Sequence, residues 1–324
     1  MKNDAAIVEE VSRLVGPGVR AEFTAERCTE LSLADDDHLY HGLIRGFSLE
    51  AKMEILGLIC RLDGLRKLNL RRNKLGVLPP EFSRLTSLEH LVLGSNSLGN
   101  VPDQLRGLTN LRSLHLGNNE LVALPAWLGE LQQLEYLTLH KNIRLRDLSA
   151  LGGLGKLRIL NLFLLNLRTL PEVLYEFRNL EVLTVWNVAN YPAGLDHFDK
   201  LEFLTIGGCP QARSFPPGLT RLKKLRATRL HQNAFEGIPD DISELTRLEQ
   251  ISLYQNAIQV VPDSMSALSE LRKLNLGWNR ITQIPAWLGD LPKLEWIGLF
   301  ENPLESNVTV PRRAGLKVAL EWPF

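Results

Sequence analysis

Leu111-Arg-Ser-Leu114-His-Leu116-Gly-Asn-Asn119-Glu-Leu121-Val-Ala-Leu124-Pro125-Ala-Trp-Leu128-Gly-Glu-Leu131 is the stretch on which the fold turns. Leu114 and Leu116 alternate with polar residues, the period of a strand with one buried side. Asn119 follows at the point where such a strand must end, and its amide can donate to and accept from backbone groups of a turn. Pro125, Leu128 and Leu131 then recur three apart, the spacing of a short helical or 3-10 turn with one buried edge. One such coil cannot bury its apolar edge alone; it needs stacked neighbours.

The sequence supplies them. Units of the same pattern begin at Leu65, Leu88, Leu111, Leu134, Leu157, Leu180, Leu201, Leu225, Leu248, Leu271 and Leu294, and eight of the ten intervals are 23 residues. The Leu180 unit has 21 residues and the Leu201 unit 24. The pattern L-x-x-L-x-L-x-x-N-x-L-x-x-L-P-x-x-L-x-x-L resembles the leucine-rich-repeat family over about four-fifths of the chain. That resemblance implies an α/β solenoid: a curved right-handed superhelix with a parallel sheet on the concave face and short helical or 3-10 turns on the convex face. It also implies a non-catalytic function in binding a protein or peptide. Counting from the first leucine of each unit, the fourth and sixth positions face the core, while the third, fifth and seventh face outward.

Three zones of one continuous domain are expected. Residues 1–64 read as an N-terminal helical cap with a degenerate first repeat, 65–304 as the array, and 305–324 as a C-terminal cap over the exposed core edge. Ile7, Val8, Val11 and Leu14 have helical spacing over residues 4–15. Cys28-Thr-Glu-Leu31-Ser-Leu33 reads as a first strand with Asp36 in the asparagine slot, and Leu49 to Leu62 as a helix capped by Ser48 and stopped by Gly64.

Bulk composition agrees with a folded binding protein. The chain has 324 residues, 44% of them hydrophobic, with 37 basic and 37 acidic side chains. Zero net charge gives no global field toward nucleic acid or an anionic membrane, and neither is expected as a partner. The three cysteines, Cys28, Cys60 and Cys209, show no metal or disulfide spacing and read as reduced, buried thiols. The N-terminus lacks the features of a signal peptide and no run of 18 apolar residues occurs, so the expectation is a cytoplasmic protein, with secretion as an effector the other route.

No phosphate-binding, dinucleotide-binding, nucleophile-elbow or zinc-protease motif occurs, and no enzyme activity, cofactor, metal or small-molecule substrate is expected. Asp35-Asp36-Asp37-His38 with His41 combines carboxylates and imidazoles, but reads as a polar turn after the first strand. The recurring asparagines, Asn73, Asn96, Asn119, Asn142, Asn233, Asn256, Asn279 and Asn302, read as a structural ladder. The second positions run Arg66, Glu89, Arg112, Glu135, Arg158, Glu181, Glu202, Arg226, Glu249, Arg272, Glu295, with nine of ten neighbouring pairs opposite in sign. This reads as an ion-pair ladder that keeps the stacking register.

What remains is the outward face. Aromatic side chains there are not required for folding, so they point to a partner. With the eighth position counted as outward too, the central repeats are expected to place Tyr136, His140, Ile159, Phe163, Leu164, Val182, Trp186 and Phe203 on one contiguous patch. The same repeats are irregular, with Leu165, Val188 and Cys209 at the ninth position. His231, Tyr254, Trp278, Trp296 and Phe300 extend the candidate set toward the C-terminus. The expected function is a protein-interaction module that docks an unidentified protein or peptide in the concave face. The alternative is the recognition part of a bacterial effector or ubiquitin-ligase-like protein whose catalytic part is absent here.

Overall fold

The structure, a computed structural model, describes residues 3–34, 42–167, 169–188, 191, 194–309, 311 and 313–320. The candidate polar cluster Asp35, Asp36, Asp37, His38 and His41 lies outside these residues. The chain forms two compact units, Met1–Leu165 and Asn166–Phe324.

The first unit opens with α1 (Asp4–Val15), where the expected amphipathic helix lies. The Asn3 side chain accepts from the Ala6 N–H, and Ile7 and Val11 are buried. Asp4 is buried too, because its carboxylate accepts from the backbone N–H of Cys28 at 2.9 Å and from Arg27 Nε at 3.0 Å. Strands β1 (Arg20–Thr24) and β2 (Arg27–Ser32) then form an antiparallel hairpin. The pattern at Cys28–Leu33 had indicated β2 but not β1. The hairpin turns on Ala25 and Glu26 at φ 48° and 63°, which carry none of the Asn-Gly chemistry by which such turns are read in sequence. Helix α2 (Leu49–Ile59) starts at Ser48 as expected, its hydroxyl accepting from Ala51 N–H at 3.2 Å. It ends at Ile59 with Cys60 as its C-cap, earlier than the expected Leu62. There the bonds tighten to Arg61 N–H onto Leu58 O and Leu62 N–H onto Ile59 O, a 3-10 turn.

From β2 the sheet continues in parallel through β3 (Lys67–Asn69), β4 (His90–Val92), β5 (Ser113–His115), β6 (Tyr136–Thr138) and β7 (Ile159–Leu162). The second unit carries β8 (Val182–Trp186), β9 (Phe203–Gly207), β10 (Ala227–Arg229), β11 (Gln250–Ser252), β12 (Lys273–Asn275), β13 (Trp296–Gly298) and β14 (Lys317–Ala319), again in chain order and parallel. β14 falls in the segment expected to cover the core edge, and adds one more parallel strand beside β13. Short 3-10 turns, such as Ala126–Glu130, return the chain between strands.

The leucines of the fourth and sixth positions form the core; Leu114, Leu116, Leu137 and Leu139 are wholly buried. One core-facing position breaks the pattern. Thr228 on β10 is 1% exposed between Leu204 and Ile251, and its hydroxyl has no hydrogen-bond partner.

The asparagine ladder is as read. Asn119 Oδ1 accepts from the Asn96 N–H at 2.8 Å, while its Nδ2 donates to Leu93 O at 2.9 Å and Leu116 O at 3.0 Å. Asn96 and Asn142 repeat this arrangement, and Asn256 and Asn279 keep the two Nδ2 bonds while their Oδ1 accepts from Phe235 and Ile258 N–H, two residues further along the preceding coil. Where the ninth position is apolar, the side chain packs instead: Leu165, Val188 and Cys209 are 0%, 1% and 1% exposed. The second-position ladder is also present. Its contacts include Arg112 with Glu135 at 2.7 Å, Arg226 with Glu249 at 2.8 Å and Arg272 with Glu295 at 2.6 Å.

A further regularity had no sequence signal. The eighth position of every repeat, from Arg72 to Glu301, has positive φ, and it does so even where the residue is Leu164 (58°), Trp278 (55°) or Lys141 (60°). This is the corner where the chain leaves the sheet, and its geometry overrides the reluctance of bulky residues to adopt it.

Candidate functional site

The third, fifth and seventh positions form the outward face of the sheet, and most side chains there are half-buried or exposed where those of the fourth and sixth are buried; Thr138 and Phe300 are the buried exceptions among the described side chains. In the first unit, Tyr136 of β6 is in register with Ser113 on one side and Ile159 on the other. Its ring stacks on His115, with centroids 4.5 Å apart and planes 19° from parallel. His115 was not among the expected site residues, although it occupies a fifth position, which the repeat turns outward. Burial, then the nearby His140, Arg71 and His90, depress its imidazole to about 4, so it is neutral at physiological pH. His140 is depressed as well, by burial first and by Lys141 and Arg71 next. Its Nδ1 shares a hydrogen bond of 2.6 Å with Thr138 Oγ1, and its ring lies over Gly117, where any Cβ would collide with it. Phe163 and Leu164 are half-buried at the C-terminal side of β7.

In the second unit, Val182 and Phe203 are register partners, and Phe203 is 42% exposed. Trp186 is less available than its position suggested. Its ring covers Gly207 and Gly208 and tilts against His231 at 4.9 Å, so part of its surface is spent on its own sheet. A side chain at Gly207 would meet both that ring and the backbone oxygen of His231 at 2.5 Å. His231 Nδ1 is buried without a partner, and burial, then Arg229, lower its basicity. Trp278 is 47% exposed at its corner, and Trp296 and Tyr254 are half-buried. Phe300 departs from the expectation of an exposed contact residue. It is 2% exposed, laid over Gly277 and Gly298 with Tyr254 at 6.0 Å, because those glycines leave the space its ring fills.

Each unit has a concavity on this face. The first, about 920 Å³, lies between the β1–β2 hairpin and the sheet and includes Arg20, Glu22, Glu30, Lys67, His90 and His115. The second, about 280 Å³, lies between Phe203 and Trp296. Among the described residues no group of three His, Cys, Asp or Glu side chains is placed to hold a metal ion, and no helix is long and apolar enough to cross a membrane. Cys28, Cys60 and Cys209 are buried free thiols; burial pushes Cys28 up to about 11 and Cys60 to about 12, far from the reactive thiolate range.

A sheet of short parallel strands, 3-10 returns and a buried asparagine at the bend define a leucine-rich-repeat solenoid. Comparison with known proteins agrees: the profile described as "Leucine-rich repeat region" matches residues 49–192, and "Leucine rich repeat" matches residues 220–281 and 246–304. The chain belongs to the leucine-rich-repeat proteins. No curated protein is significantly similar in sequence. Among solved structures, an internalin, InlF, from Listeria monocytogenes is 20% identical with a TM-score of 0.66, covering 92% of this chain and 82% of its own. Toll in the Toll–Spatzle complex from Drosophila is 20% identical with a TM-score of 0.63, over 77% of this chain and 38% of that one. A TDR receptor is 26% identical with a TM-score of 0.61, over 76% of this chain and 48% of that one. The chain thus spans less than half the length of the Toll and TDR chains. Family and fold define a protein-interaction module in general terms.

Proposed function

We propose that the outward face of the sheet docks a protein or peptide partner, and that residues 1–64 and 305–324 act as caps to the array at 65–304. The observation that carries this reading is the set of aromatic side chains on that face that do no core work. Phe203 is 42% exposed while the leucine beside it on β9, Leu204, is 1% exposed. Tyr136 and His115 stack on the outer side of a sheet whose inner side is already filled by leucine. Exposed aromatics on a rigid support are the usual anchors of an interface, since they bury much area at little entropic cost. A catalytic role has less support: the Thr138 hydroxyl bonds His140 Nδ1, but burial lowers the basicity of that imidazole, and among the described residues no carboxylate is hydrogen-bonded to His115, His140 or His231. That one structure in the fold comparison is a complex of Toll with Spatzle is consistent with protein recognition.

The test is selection of a displayed library of random peptides on the immobilised protein. Binders are expected to emerge and to weaken by about ten-fold or more on Phe203→Ala/Trp296→Ala or on Tyr136→Ala/Phe163→Ala, with the far-UV spectrum and melting temperature kept. Binders indifferent to both pairs would place the docking surface elsewhere.

A further inference from the structure

The cavity between Phe203 and Trp296 has a charge as well as a shape. Of the residues that line it, only Arg229 and Lys273 are ionisable, and both are exposed. Neither makes an ion pair among the described residues. The acidic side chains of the same strands are held apart from them, at the second positions. There Glu202 and Glu249 flank Arg226 at 3.9 and 2.8 Å, and Glu295 meets Arg272 at 2.6 Å. The ladder therefore neutralises its own charges along one side of the sheet and leaves two cations uncompensated in the cavity. Its floor is kept low by Ala227 and Ser252, the register neighbours of Phe203 and Asn275.

We propose that this cavity receives an acidic, extended segment of a partner protein, with carboxylates on Arg229 and Lys273 and apolar side chains against Phe203 and Trp296. The inference rests on the docking role proposed above and adds the chemistry of the occupant. Phe203 and Trp296 stand on strands four apart, which sets them about 19 Å from each other at the usual strand spacing, the reach of about six extended residues. Arg229 and Lys273 stand two strands apart, about 10 Å, within the span of carboxylates two to four residues apart on such a segment. A guanidinium binds carboxylate through paired N–H donors, and uncompensated cations at the rim of an apolar site select an acidic partner chiefly by orientation and rate.

The random-peptide selection tests this directly. Peptides enriched on the wild-type protein are expected to be rich in Asp and Glu, with an aromatic or aliphatic residue between or beside them. Their affinity is expected to fall by about ten-fold on Arg229→Gln/Lys273→Gln, two exposed positions where the fold has nothing to lose, and to fall as NaCl is raised. An enriched pool without acidic bias, or one whose affinity ignores both the double substitution and salt, overturns the inference. Binding of a single-stranded DNA oligonucleotide as tight as that of the acidic peptides overturns it too, since the cavity would then be a general polyanion site. Phe203→Ala/Trp296→Ala separates the two readings. If a non-acidic pool still loses affinity there, the face remains a docking surface with a different partner; if it is indifferent to this pair and to Tyr136→Ala/Phe163→Ala, both readings fall.

Discussion

Two residues show how the repeat geometry constrains chemistry at single positions. Thr228 places a hydroxyl among Leu204 and Ile251 with nothing to bond to. An unmade hydrogen bond in a dry core is costly, and valine has the same shape without the hydroxyl. Thr228→Val is expected to raise stability by about 1 kcal/mol, read as a higher urea midpoint with an unchanged slope. Trp278 is held at φ 55°, a conformation that costs a bulky residue on the order of 1 kcal/mol and asparagine much less. Trp278→Asn is expected to gain about 0.5 kcal/mol in the same measurement, the strain relief exceeding the loss of a half-exposed ring. Strained backbone kept under a large exposed side chain suits a residue retained for contact rather than for folding. A loss of stability in Trp278→Asn would show that its ring packs more than its exposure indicates.

The element that decides the fold is the single coil, and its decisive polar residue is the ninth-position asparagine. Asn119 makes three hydrogen bonds to the backbone of its own and the preceding coil, all buried. Asn119→Ala leaves those groups unpaired and is expected to cost roughly 3 kcal/mol, seen as a lower urea midpoint. Loss of less than about 1 kcal/mol would mean that water replaces the amide. Leu165 and Val188 show that the position also tolerates an apolar residue, when the coil is built around it from the start. Coil, ladder and helix caps were legible because each rests on a local, repeated residue choice: leucine alternation, an amide at a bend, Ser48 before a helix. Strand β1 was not, since Ala25 and Glu26 form its turn without turn-forming chemistry. The face itself was legible as a direction, through the repeat period. Occupancy was not, because whether an outward ring is free depends on the neighbouring coil. Phe300 folds onto Gly277 and Trp186 onto Gly207, while Phe203 stays exposed. His115 escaped notice for the same reason, its burial coming from the Tyr136 ring on the next strand.

Across the molecule, net charge is zero and the ion pairs are mostly between exposed side chains, so neither is a strong determinant of stability at neutral pH. The half-buried imidazoles are a different matter. His115 titrates at about 4 in the folded chain against an ordinary value near 6.5, and His140 and His231 are shifted in the same direction. In each case the folded protein resists the proton that the unfolded chain accepts. Between about 6.5 and 4 the unfolded state therefore binds more protons, and stability falls as pH falls through that window. The neutral histidines contribute their full stabilisation above 6.5; below 4 His115 is protonated in both states and has no further effect. Allowing for the solvent that still reaches its ring, His115 is expected to account for about 2 kcal/mol of the loss. Urea unfolding of His115→Gln at pH 7.5 and pH 4.5 checks this. The variant is expected to lose less stability between the two pH values than the wild type by about that amount, whatever its stability at pH 7.5. Parallel pH profiles for the two proteins would mean that the imidazole is protonated at no cost in the folded state and that the Tyr136 stack does not exclude water from it.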